Sequence, residues 1–72
     1  MIVVKRHEQK LRDANELDIK KDTILHDGSG DCYKILEVVW DLVHSYMLIQ
    51  HTDKKRTMNI PCDRIGQYRV QA

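Results

Sequence analysis

The chain has 72 residues, 42% hydrophobic and 32% charged, with a formal net charge of +1. This length gives one small domain with a thin core, and little material is left for an enzymatic pocket. The composition is too apolar for a disordered chain, and so small a net charge argues neither for nor against a nucleic-acid partner.

From the N-terminus, "MIVVKR" opens with β-branched residues and reads as a short strand. The polar run "KRHEQKLRD" follows "MIVV" at once, leaving no apolar stretch of the about 7–15 residues a signal peptide needs. "HEQKLRDANELD" is rich in helix formers and spaces Leu11, Ala14 and Leu17 three apart, which predicts a short surface helix over residues 7–16. Residues 1–18 are thus read as a strand and helix added to a domain spanning 19–72.

Beyond Asp22 the pattern is one of short strands. "TILH" is the first, and "DGSGD" is turn chemistry, with glycines for positive φ and aspartates that bond their own backbone. "CYKILEVVW" follows, then "DLVHS" as a connection, and "YMLIQHT" as the next strand. "DKK" makes a polar turn before "RTMNI". "PCDRIG" then breaks the ladder, because Pro61 has no donor for it. "QYRVQ" alternates Tyr68 and Val70 against polar residues and forms the last strand.

A second reading draws residues 32–50 as a central helix in an α+β fold. Asp31 would be its N-cap, with Lys34, Glu37, Asp41 and His44 as a polar stripe. Apolar groups of "VVW" and "YMLI" fall on that stripe, however, and Ile35, Val38, Val39, Val43 and Ile49 are β-branched, which favours strands. The longest apolar stretch, Tyr33 to Ile49, is interrupted by Lys34, Glu37, Asp41 and His44, short of the about 20 apolar residues of a membrane helix. A cytoplasmic location, with no membrane partner, is the expectation.

The element order in "DTILHDGSGDCYKILEVV", "SYMLIQHTDKKRTMNIP" and "CDRIGQYRV" resembles the SH3-like small β-barrel of KOW and Tudor-type modules. The resemblance implies a mainly β protein with a five-stranded barrel, and a short 3₁₀ turn at "PCDRIG" before the final strand. It names no single activity, because the superfold hosts many unrelated functions.

The glycine loop is not a phosphate cradle. It lacks the Lys and hydroxyl of G-x-x-x-x-G-K-[ST], it lacks the third glycine of a dinucleotide fingerprint, and Asp27 and Asp31 would repel phosphate. Cys32, Cys62, His26, His44 and His51 lack the close ligand pairs of a zinc site, although a barrel could bring the two cysteines together. Without a secretory signal, two reduced thiols are expected rather than a disulfide. A thiol such as Cys32 can be matched on paper with His26 or His51 and an acid, but four histidines in so short a chain make that uninformative. No catalytic residue, metal or cofactor is assigned.

The best functional lead is basic. Residues 50–72 carry a balance of +3 and residues 1–49 one of −2. Lys54, Lys55 and Arg56 at a hairpin tip, with Arg64 and Arg69 nearby, would contact phosphates of DNA or RNA, and Tyr68 or Trp40 would stack a base. A non-enzymatic module binding nucleic acid or a ribonucleoprotein is the first expectation. The alternative is a protein–protein module, a small regulator or inhibitor anchored by Trp40 or Tyr46 on a larger machine. "MIVVKR" would then offer an edge to a partner or to a second copy in a homodimer.

Overall fold

The structure, a computed structural model, describes residues 10–72, so the strand expected at "MIVVKR" lies outside the described residues. The chain is mainly β. Strands β1 (Leu11–Asp13), β2 (Ile24–His26), β3 (Cys32–Val39), β4 (Tyr46–His51), β5 (Thr57–Pro61) and β6 (Arg69–Gln71) form one antiparallel sheet in the order β1-β6-β2-β3-β4-β5. The central helix over 32–50 does not form, since those residues supply β3 and β4. Among the described residues, no helix is long and apolar enough to cross a membrane.

The strands follow from period-two alternation. In β4, Met47, Ile49 and His51 are buried, whereas Tyr46, Leu48 and Gln50 lie on the other face. The register carries that choice to both neighbours. Ile49 pairs with Ile35 on β3 and Met58 on β5, and Met47 pairs with Val38 and Ile60. Leu36 is an extra residue between Ile35 and Glu37, where the β3–β4 register shifts. The bulge bends β3 and turns Val38 inward again. Leu25 on β2 and Val70 on β6 extend the core, and Ala14, Ile19, Cys62 and Ile65 close it.

The turns match their chemistry. The β2–β3 turn is laced by Asp27, whose Oδ1 accepts from the Ser29 N–H (2.9 Å), the Ser29 hydroxyl (2.8 Å) and the Asp31 N–H (3.0 Å). Gly30 supplies φ of 88° there. "PCDRIG" is a 3₁₀ turn, Cys62–Gln67, ahead of β6.

The ladder ends at Pro61, which is the last residue of β5 and pairs with Tyr46 before the 3₁₀ turn begins. Flanking bonds explain why a proline fits there. The His51 N–H donates to the Arg56 carbonyl (3.0 Å), and the Cys62 N–H to the Ser45 carbonyl (2.9 Å). With that phase, Met58 and Ile60 bond β4, while Thr57, Asn59 and Pro61 aim their backbone polar groups at the outer side. A proline loses nothing there.

The helix expected over 7–16 is also corrected. Its residues 11–13 are β1, paired with β6 from Leu11 opposite Gln71 to Asp13 opposite Arg69. Of the proposed stripe only Ala14 is buried, and Leu17 is 86% exposed, so helix nucleation has no apolar face to offset it. A 3₁₀ turn, Glu16–Asp18, follows β1, with a capping box between Asn15 and Asp18. The Arg12 guanidinium grips the Asp18 carboxylate at 2.8 and 2.6 Å, and the Asn15 N–H donates to the same carboxylate at 2.8 Å. These bonds hold the Asp18 carboxyl below the usual carboxylate range, with the Arg12 hydrogen bond first among the causes.

Two outcomes follow. Ile35→Ala or Met47→Ala removes a fully buried side chain, and a urea melt should show about 2–5 kcal/mol lost. Because folding lowers the Asp18 pKa, its contribution is complete above the ordinary carboxylate range and disappears as pH falls below about 4 through the depressed folded value. Thermal melts of Asp18→Asn should therefore be destabilised at neutral pH and depend less on pH across that acid window than the unaltered protein.

Candidate functional site

β4 delivers a different surface at each of its ends. At one end, the β4–β5 connection carries Lys54, Lys55 and Arg56, all exposed. His51 holds this tip from beneath. Its Nδ1 accepts from the backbone N–H of Asp53 (3.0 Å) and Lys54 (3.2 Å), and Nε2–H therefore donates to Asp31 (3.0 Å). Those acceptor bonds fix the tautomer. The Tyr33 ring meets the imidazole edge-on at 5.2 Å. Lys34, Gln50, His51, Asp53, Lys54 and Lys55 help to line a hollow beside the tip.

The other predicted basic residues share this end only in part. Arg69 faces His26 on β2, which pairs with Cys32 on β3, whose carbonyl accepts from the Thr52 N–H (3.0 Å). Arg69 is thus three strands from the tip, about 14 Å at ordinary spacing. It also lies 3.8 Å from Asp13. Arg64 sits on the 3₁₀ turn before β6. Tyr68 is half-buried, its ring edge-on to Tyr33 at 6.4 Å. Burial pushes its phenol pKa up, nearby Asp27 adds to that, and Arg64 opposes it. Asp27, Asp31 and Asp53 cluster near Cys32, at the same end, and dilute the positive charge.

The opposite end is apolar. Trp40 and Tyr46 bracket the β3–β4 connection, and both are exposed, at 59% and 39%. Between them Leu42 is fully exposed and Val43 is 76% exposed. The loop is ordered by its polar members. The Asp41 carboxylate accepts from the Leu42 N–H (2.6 Å), and the Ser45 hydroxyl accepts from the Asp41 N–H while donating to the Asp41 carbonyl (both 3.2 Å). Val39, Tyr46 and Pro61 form one row across the outer face. Beside it lies an open hollow of about 470 Å³, lined in part by Val43, His44, Tyr46, Asn59, Pro61 and Asp63. Sequence reasoning passed over Leu42 and Val43 as connection. Two aliphatic residues in a polar turn, with no strand to carry them inward, were the available signal.

Neither cysteine is prepared as a nucleophile. Cys32 Sγ lies 3.2 Å from His26 Nδ1, but burial first, then Asp53, Asp27 and Asp31, push the thiol pKa up. Burial and Asp63 do the same at Cys62. Both cysteines are free, and they do not meet. Cys32 lies beside Thr52 and Cys62 beside Ser45, at opposite ends of β4 and about 20 Å apart along it. Among the described residues, no three His, Cys, Asp or Glu side chains gather as a metal site.

Two measurements check this geometry. Both cysteines should be alkylated by iodoacetamide at pH 7.5 more slowly than a free cysteine, because less of each is thiolate. His51→Ala should cost about 1–3 kcal/mol in denaturant melts by leaving its partners unpaired, and should speed amide exchange at Asp53 and Lys54 first. Comparison with family models, curated proteins and solved structures finds no match, so the surfaces themselves carry the functional reading.

Proposed function

We propose that the chain is a non-enzymatic binding module on the SH3-like small-barrel plan, docking on a protein partner through its apolar end. The β2–β5 meander, the 3₁₀ turn before β6, and the return of β6 to pair with β2 support that plan. The superfold fixes no activity, so the partner class is argued from the surface. A regulator or inhibitor acting on a larger protein machine suits such a module.

One observation carries the docking reading. Leu42, Val43 and Trp40 stand exposed on a single loop, where Val43 lines a hollow with Tyr46 and Pro61 and Trp40 lines another with Ile19 and Ile65. An apolar patch with an aromatic anchor and a polar rim is what a protein interface buries. The chain's one tryptophan is left outside a core that is short of aromatics.

The hairpin tip favours a second reading, nucleic-acid contact. Lys54, Lys55 and Arg56 are three consecutive cations on a backbone that His51 holds in place, and ordered cations suit phosphates. The three aspartates at that end weaken this reading, and so does the distance to Arg69.

Affinity capture from a lysate, with and without nuclease, separates the two. The triple variant Trp40→Ser, Leu42→Ser, Val43→Ser changes only exposed groups and should fold normally. It should lose the protein partners held by the unaltered chain, while Lys54→Ala, Lys55→Ala, Arg56→Ala retains most of them. Capture that survives the serine substitutions but vanishes with nuclease, or falls steeply with salt, would establish the nucleic-acid reading instead.

A further inference from the structure

The two candidate surfaces lie at the two ends of one strand. β5 begins at Thr57, next to Arg56 and the basic tip, and ends at Pro61, beside Tyr46 and the hollow it shares with Val43. The sheet ends at β5 among the described residues, and the ladder phase turns the backbone groups of Thr57 and Asn59 to the open side. Such an edge is a template for another strand.

We infer that β5 receives an extended segment of the protein partner as an antiparallel strand, with an apolar residue at its N-terminal end and acidic residues at its C-terminal end. This rests on the docking reading above. Direction follows from charge and polarity. An antiparallel segment starts opposite Pro61, where its first side chain shares the outer face with Tyr46 and reaches the hollow. Its third and fifth residues lie opposite Asn59 and Thr57 and exchange backbone bonds with them. Its second and fourth lie opposite Ile60 and Met58 on the core face, where both are half-buried and accept apolar cover. Its sixth and seventh reach Arg56, Lys55 and Lys54, where carboxylates complement the charge. A parallel segment of that sequence would set carboxylates beside Asp63 and the apolar side chains of Val43 and Tyr46. Pro61 offers only a carbonyl, which marks where pairing ends.

The test uses the full chain and the N-acetylated peptide Leu-Val-Thr-Val-Thr-Glu-Glu, followed by ¹⁵N–¹H NMR. Shifts should concentrate at Thr57, Asn59 and Tyr46. N-methylation of the two threonines should weaken binding roughly tenfold or more, whereas N-methylation of the two valines, whose N–H groups point away, should leave it within about twofold. Lys54→Ala, Lys55→Ala, Arg56→Ala should weaken binding several-fold and flatten its salt dependence. Asn59→Pro removes an outward donor without breaking a bond to β4, and should abolish binding. If that variant fails to fold, the methylated peptides still decide. Absence of shifts at Thr57 and Asn59 at millimolar peptide, or equal effects of both methylations, overturns the inference. Shifts confined to Trp40, Leu42 and Val43 would overturn the edge and leave the docking reading intact. Peptide pairing on β5, with protein capture unchanged by the serine substitutions, would do the reverse.

Discussion

The alternation of β4 is the constraint on which the rest of the molecule depends. Met47, Ile49 and His51 must face inward together, because a strand's side chains repeat every two residues. Met47 and Ile49 are fully buried and hold Ile35 and Val38 on one side and Met58 and Ile60 on the other. His51 completes the series with a polar group, and its ring lies under the basic tip. Tyr46, at the opposite end and on the opposite face, is thereby committed to solvent. A one-residue slip would bury Tyr46, Leu48 and Gln50 and expel the core.

The polar bonding is concentrated where the thin core ends. His51 joins the acidic β2–β3 turn to the basic β4–β5 tip through bonds from two backbone N–H groups and to Asp31. The Arg12–Asp18 pair does similar work at the other edge, tying β1 to the 3₁₀ turn that follows. Both devices tie down segments that the core, nine small and medium side chains among the described residues, does not reach. At the apolar end the loop's side-chain bonds among the described residues are the local ones of Asp41 and Ser45, and its large side chains remain unburied.

Most strands were legible in the sequence because their cues were local. β-branched runs, the aspartate-glycine turn, the "DKK" tip and Pro61 fall at element ends, and the 3₁₀ turn lies where the resemblance put it. The N-terminal region was not legible. Leu11–Asp13 has helix-favouring composition, and its strand state comes from the unpaired edge of β6, a long-range partner no local pattern reveals. The Leu36 bulge was equally hidden, since "KILEVV" gives no sign of which residue is passed over. Lys54, Lys55 and Arg56 were readable as a projecting tip, whereas the exposure of Trp40 and Tyr46 was one of two readings the sequence left open. That these two groups sit at opposite ends of one edge strand required the register.

The outer side of β5 is open among the described residues, and residue-resolved amide exchange in the free protein tests this most directly. Met58 and Ile60, bonded to β4, should exchange slowly, whereas Thr57 and Asn59 should exchange nearly as fast as an exposed loop. Equal protection at all four positions would mean that another strand already covers this edge, and would contradict the account.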